Sequence, residues 1–380
     1  MIKKLFLIGN GFDLAHGFKT RYLDFMSWFY ENDKKTFVSF NKLLLRNFLS
    51  ENGYLYEDDW RYTRPINKID IRINNMDTSL VKATIEYKLL EKCFEYELLE
   101  GYYGCEFELY LYALWESLEE NMHYVFLDKE VEEAEIEKKC LLEILREEEY
   151  GEVIEEDLEY LHRPAQEYLN RLTNLADEFE SNLLQWVEDV NETICLVENK
   201  IYFYENDSEY EKVNLLEDEF FGENNYIINF NYSKTIELLY DRKVCHIHGQ
   251  DSINNLPIMG HTKDITTMYR YDDKEIILVE KFYKNLDSII QSNHTFFEML
   301  KDSNEIVVLG LGYNETDYPY FEKINSLIPT AKWNLYYYSD FDLQHAKEYV
   351  DNLKINNGNV SYISLKTDTP FTKIVGYEME

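Results

Sequence analysis

Four short stretches of this chain place glycine beside neutral polar or imidazole side chains at spacings that suit chemistry. The first is Gly9-Asn10-Gly11-Phe12-Asp13. Gly-x-Gly between a strand and a helix lets the backbone approach a pyrophosphate, whose charge is met by free N–H groups at the helix start. The dinucleotide fingerprint asks for a third glycine at position 14, which is Leu14, and the next glycine is Gly17. The ordinary fingerprint therefore fails. A tight turn, with Asn10 as a turn residue and Asp13 as a helix cap, is the plain alternative.

The second and third stretches are Asn229-Phe230-Asn231-Tyr232 and Cys245-His246-Ile247-His248-Gly249. Both offer neutral polar groups rather than carboxylates. Histidines at i and i+2 on a strand share a face, and with His261 they make a conceivable metal triad. No paired carboxylate or cysteine sits beside them at ligand spacing, so no metal is expected. His246 reads as a satisfied core histidine. His248, followed at once by Gly249, reads as the exposed imidazole able to move a proton. The fourth stretch, Gly310-Leu311-Gly312-Tyr313-Asn314-Glu315-Thr316-Asp317, allows close backbone approach. Its Asp317 is placed either to cap the next helix or to bind a ribose. A Gly-x-x-x-x-Gly-Lys-Ser/Thr loop, a Gly-x-Ser-x-Gly elbow and a His-Glu-x-x-His helix are all absent, which removes P-loop ATPases and the commonest hydrolases.

Each stretch ends a short apolar run. Lys4–Ile8, Tyr226–Ile228, Val244–Ile247, Ile306–Leu309 and Trp333–Tyr338 are three to six residues long and rich in β-branched or aromatic types,. Helical patterns follow at Ser233–Tyr240, Tyr318–Leu327 and Leu343–Leu353. Buried strands alternating with helices predict an open α/β sheet, which binds ligands beyond the carboxyl ends of its strands at a topological switch point. The polar residues cluster at those ends.

Between these flanks the composition changes. Residues 81–220 carry 40 acidic and 11 basic side chains, so −29 of the formal charge of −35 sits there. The stretch is poor in Gly and Pro and rich in Glu, Leu and Tyr, which predicts helices. Apolar residues recur at three and four around 91–99, 110–118 and 169–190. Glu155 or Asp157 opens one helix, and Pro164 marks a break or a first turn. The domain reading is a nucleotide-binding α/β domain at 1–75 and 201–380, interrupted by an acidic helical insertion at 76–200 whose most charged surface is 130–160. That surface is a solvated helix face or a docking face. The aromatic residues Tyr102, Tyr103, Tyr110, Tyr112 and Trp115 serve either a core or a homo-oligomer contact.

With 380 residues, 45% of them hydrophobic, the chain buries a proper core,. Its 73 acidic against 38 basic residues repel phosphate backbones and anionic lipid, which excludes broad nucleic-acid or membrane capture,. Five cysteines with no Cys-x-x-Cys pair fit a reducing compartment,. The apolar run at Leu5–Ile8 is too short for a signal peptide or a spanning helix, so a cytoplasmic protein is expected.

In order, Leu7-Ile8-Gly9-Asn10-Gly11-Phe12-Asp13-Leu14-Ala15-His16-Gly17 with Tyr22-Leu23-Asp24-Phe25, then Asn229-Phe230-Asn231-Tyr232, then His246-Ile247-His248-Gly249, closely resemble the bacteriophage abortive infection AbiH family. The resemblance covers both flanks, about two-thirds of the chain. More remotely, AbiH proteins are similar to sirtuin-like NAD-binding domains, which implies a Rossmann-type open parallel sheet with a large helical insertion. By that resemblance Asn231 and His248 stand at catalytic positions, and Gly9, Asn10, Gly11, Phe12, Asp13, Asn229, Gly310, Gly312 and Asp317 at dinucleotide-binding positions. Ser233 departs from the pattern, standing where an aspartate orients ribose. The zinc-binding cysteine pairs of protein deacylases are also missing. The resemblance thus implies an antiphage NAD+ glycohydrolase with NAD as its substrate, answering to a phage-derived trigger or a co-encoded protein. Two other readings stay open: a nucleotide-binding sensor or docking module that does not hydrolyse, and a metal-dependent nuclease built on His246, His248 and His261.

Overall fold

A computed structural model describes residues 3–52, 67–96, 107–126, 155–203, 213–216, 220–249, 257–260, 282–313, 315–368 and 370–374. The acidic run at 130–154, His261, Tyr102 and Tyr103 lie outside the described residues. The chain divides into two compact units. One comprises residues 1–21, 184–258 and 284–380, and the other 22–183 and 259–283.

The first unit holds the sheet. Eight strands are described: β1 (Lys4–Ile8), β2 (Val213–Leu216), β3 (Tyr226–Asn229), β4 (Cys245–His246), β5 (Glu305–Leu309), β6 (Lys332–Tyr337), β7 (Val360–Ser364) and β8 (Phe371–Ile374). Six form one sheet in the order β4-β3-β1-β5-β6-β7, and every pairing in it is parallel. β2 and β8 form a separate antiparallel pair. Period-two alternation sends Leu5, Leu7, Ile228, Ile306 and Val308 into one buried cluster, and Phe6, Ile8, Ile227, Val307 and Leu309 into a second,. A sheet apolar on both faces is what parallel strands require.

The chain leaves β1 and builds outward in both directions, to β3 and β4 on one side and to β5, β6 and β7 on the other. β1 is therefore the switch point. In register, Ile8 lies level with Asn229 and Leu309, and Asn229 with His246. The carboxyl ends of four neighbouring strands thus finish together.

The second unit is helical and begins at Tyr22, earlier than position 76, where the sequence reading opens its helical insertion. The reason is packing. Helices Tyr22–Asn32 and Lys34–Glu51 bury Phe25, Phe29, Phe37 and Phe40 in one aromatic core with Trp115 and Phe179. The Phe40 and Phe179 rings stack at 4.6 Å, and the Trp115 indole N–H donates to Asn41 Oδ1 at 2.7 Å. Tyr112 and Trp115 are both buried. The helix Glu155–Phe203 passes through Pro164 without ending there. Proline removes one hydrogen bond, a local cost that a 49-residue helix bears,. Among the described residues no helix is long and apolar enough to cross a membrane.

Candidate functional site

The polar residues at the ends of β1, β3, β4 and β5 converge within the sheet unit. The β1 and β5 loops touch through glycine. Gly9 N–H donates to the Leu309 carbonyl at 3.0 Å and Gly11 N–H to the Gly310 carbonyl at 2.8 Å. A Cβ on Gly9 would stand 2.6 Å from the Gly310 oxygen, and one on Gly11 2.8 Å from Gly310 Cα. Gly310 itself has φ of +73°, and a Cβ there would come within 2.3 Å of the Phe12 nitrogen. These three glycines are required by loop-on-loop contact. Their amides at 9 and 11 are bonded to the carbonyls of Leu309 and Gly310. Gly312 is exposed on the same loop.

Phe12 and Asn229 are both buried. Phe12 is 1% exposed, its ring packed among Phe221, Tyr240 and His16. Asn229 accepts from the Asn231 N–H at 3.1 Å and donates to the Ser233 carbonyl at 3.1 Å, bracing the turn after β3. Asn10 is half-buried, and its side chain accepts from the Thr20 hydroxyl.

Asp13 is fully buried. Its carboxylate accepts from the Ser233 hydroxyl, and the Thr235 and Asn231 side chains also favour its charged form. Burial outweighs them and pushes its pKa up to about 6,. Asn231 donates from its amide to the Gly9 carbonyl at 3.1 Å, tying the end of β3 to the end of β1.

The two histidines part company. β4 stops at His246, and the turn that follows breaks the strand alternation which would have put both rings on one face. His246 meets the Asn231 carbonyl at 3.1 Å and Glu237 at 2.6 Å. It holds the Asn231 turn against helix Thr235–Tyr240. His248 Nδ1 meets the Phe230 carbonyl at 3.2 Å, which assigns the proton to Nδ1 and the lone pair to Nε2 in the neutral ring,. Nε2 lies 3.7 Å from Asp317 Oδ1. The ring packs between Phe230 and Tyr320 and is 3% exposed, against the expectation of an open imidazole. Asp317 occupies the N-cap position of helix Tyr318–Leu327 but makes no side-chain cap bond, its carboxylate standing opposite His248 instead. Among the described residues no three His, Cys, Asp or Glu side chains converge as metal ligands.

His16 belongs to the site's support and was missed in the sequence. Its Nδ1 donates to the Phe12 carbonyl at 2.7 Å, and its Nε2 meets the Tyr240 hydroxyl at 2.5 Å. That hydroxyl accepts from Leu216 N–H at 2.9 Å. Burial lowers the His16 pKa to about 4, so the ring is neutral,. Its spacing of four from Phe12 was the available signal.

Fold and site together define an α/β protein with a parallel open sheet and a polar cluster at its switch point. The chain belongs to the bacteriophage abortive infection AbiH family, whose sequence model matches residues 5–338. Family membership carries a role in phage abortive infection. No curated protein matches the chain.

Proposed function

We propose that this AbiH protein is an NAD+ glycohydrolase, cleaving NAD+ to nicotinamide and ADP-ribose. The observation that carries the reading is His248 Nε2 facing Asp317 Oδ1 across 3.7 Å at the sheet's switch point, with Asn231 on the neighbouring strand end. The sheet order, counted strand by strand within the sheet, is 3-2-1-4-5-6, the order of dinucleotide-binding Rossmann sheets,. That order supports a sirtuin-like reading, in which a dinucleotide would lie across the ends of β1, β3 and β5.

Cleavage breaks the C1′–N bond, and its electron pair stays on nicotinamide, which leaves neutral and needs no general acid. The ribose centre passes through an oxocarbenium-like state that water captures. His248 Nε2 takes the proton from that water, and Asp317 steadies the charged ring, a role worth roughly 10²–10⁴-fold in rate. Asn231 orients the water or a ribose hydroxyl by hydrogen bonding.

The test is nicotinamide release by the full chain, purified and after mixing with lysate of phage-infected cells, beside His248→Ala. Release that the alanine abolishes supports the enzyme. Saturable ADP-ribose binding without release under either condition favours the second reading, a non-hydrolytic nucleotide sensor of the defence response.

A further inference from the structure

Two contacts in the plane of the ring mark the edges of the His248 imidazole. Nδ1 meets the Phe230 carbonyl at 3.2 Å, and Nε2 lies 3.7 Å from Asp317 Oδ1. The second distance is too long for a hydrogen bond, so that pair does not lock the ring. The χ2 torsion of histidine is broad and roughly two-fold. Turning the ring over would set Cδ2 against the Phe230 carbonyl and Cε1 where Nε2 now faces Asp317. What opposes that turn is packing around the ring.

The packing comes from two aromatic side chains. Phe230 meets the imidazole in a T-shape, with centroids 5.6 Å apart and planes at 86°. Tyr320 meets it at 5.6 Å and 55°. Phe230 and Tyr320 also touch each other at 5.7 Å, so the three rings close a triangle. Tyr320 is fully buried and shares one core cluster with Phe230 and Phe321. A turning imidazole must sweep through volume that these rings fill, and a close-packed interior has little to give. Helix Tyr318–Leu327 supplies both sides of the grip. Asp317 at its N-cap position faces the Nε2 edge, and Tyr320, three residues on, packs against the ring. Pro319 stands between them in the first turn, where its fixed φ suits a helix start and sets the spacing of the two side chains,.

We infer that Tyr320 is a positioning residue for His248: its ring keeps the imidazole from turning over and holds the Nε2 lone pair toward Asp317. The consequence for catalysis rests on the glycohydrolase reading, whereas the orientation does not. Tyr320 touches neither substrate nor water in this scheme and acts through the imidazole alone. The aromatic ring is the part that acts. Phenylalanine is therefore an adequate replacement, and leucine, which leaves a gap beside the imidazole, is not.

Two measurements on the full chain test it. The first is NMR with ¹⁵N-histidine labelling, which reports the tautomer of each of the eight histidines. The His248 signals are identified by their loss in His248→Gln. Wild type and Tyr320→Phe should show a single Nδ1–H tautomer at His248. Tyr320→Leu should move it toward the averaged pattern of a free imidazole, which favours Nε2–H. Mixed tautomers in the wild type, or a Tyr320→Leu pattern identical to the wild type, overturn the inference. Should Tyr320→Leu not fold, Tyr320→Met fills more of the space without an aromatic ring and must show the same change. The second is nicotinamide release. Tyr320→Leu should lower kcat by about ten- to a hundredfold with KM held within about twofold, and Tyr320→Phe should stay within about twofold of the wild type in both. Equal loss of kcat in the two variants would sink the positioning role of the ring. A ring-dependent tautomer in a protein that releases no nicotinamide would remove the hydrolase reading and leave the positioning role standing.

Discussion

Ser233 Oγ donates a hydrogen bond to Asp13 Oδ2, joining the turn after β3 to the short helix Asn10–Ala15 across 220 positions of sequence. In the sirtuin-like pattern position 233 carries an aspartate, and its loss reads from sequence as a missing carboxylate. In the structure the serine at 233 is hydrogen-bonded to the carboxylate of Asp13. Serine at 233 and aspartate at 13 thus form one donor–acceptor pair, and two aspartates there would repel in a buried site,.

The pair can be exchanged. Ser233→Asp alone sets two buried carboxylates in contact and should destabilise the protein by about 3 kcal/mol or more at neutral pH, with recovery as acid protonates one of them. Asp13→Ser alone removes the acceptor and should cost roughly 1–3 kcal/mol. The double exchange restores hydroxyl against carboxylate. A double-mutant cycle in urea should show favourable coupling of at least about 1 kcal/mol, and simple additivity would mean the two residues do not act together.

Asp13 and His16 also oppose each other in pH. Burial lowers His16 from an ordinary 6.5 to about 4. As pH falls through that window the unfolded chain takes up a proton that the folded chain refuses, so stability drops. Burial raises Asp13 from 3.8 to about 6. As pH rises through its window the unfolded chain loses a proton that the folded chain keeps, so stability drops in the other direction. Each effect is about 3 kcal/mol, and between pH 4 and 6 their slopes cancel. Relative to wild type, His16→Gln should therefore gain stability as pH falls from 6.5 to 4, and Asp13→Asn should gain it as pH rises from 4 to 6. Urea midpoints across pH 4–7 read both differences, and parallel curves for either variant would refute its assignment.

Much of the sheet was legible because both faces of its strands are apolar. β1, β3, β5 and β6 fall within a residue or so of their apolar runs, and helix Tyr318–Leu327 matches its pattern. β7 was not legible, since Val360-Ser361-Tyr362-Ile363-Ser364 is a half-buried edge strand with polar alternation. The boundary at Tyr22 was hidden for a different reason. Sequence separates the early helices from the acidic ones by charge, whereas the molecule groups them by the aromatic residues they bury together. At the site, residue types pointed to the strand ends but not to what each side chain does there. Asp317 read as a cap and faces His248, while Asp13 read as a turn or cap residue and is held by Ser233. Such pairings are long-range, and no local spacing encodes them.

The glycines separate backbone need from space. Gly17 has φ of +87° with nothing within 4 Å of a built Cβ, whereas Gly310 has φ of +73° with the Phe12 nitrogen at 2.3 Å. Gly17→Ala should cost only the left-handed penalty, about 1–2 kcal/mol. Gly310→Ala adds a backbone clash that must drive the β1 and β5 loops apart, so its cost should exceed that of Gly17→Ala by about 2 kcal/mol or more. Equal urea midpoints for the two variants would mean the loops are not in the contact described. A substitution at Gly11, whose Cβ would stand 2.8 Å from Gly310 Cα, likewise tests the scaffold before it tests any ligand.

Asp317 offers the cleanest separation of function from fold. A helix whose N-cap side chain makes no cap bond has forgone roughly 1 kcal/mol, and the carboxylate stands opposite His248 Nε2 at 3.7 Å,. Asp317→Asn keeps the shape and removes the charge that would steady a protonated His248. On the glycohydrolase reading, kcat for nicotinamide release should fall by roughly 10²-fold, while the urea midpoint moves by the equivalent of less than about 1 kcal/mol. Asp317→Ser, which restores a capping hydroxyl, should raise helix stability without restoring turnover. If Asp317→Asn instead loses stability and keeps kcat, the His248–Asp317 pair is structural, and the proton acceptor must be sought elsewhere at the strand ends.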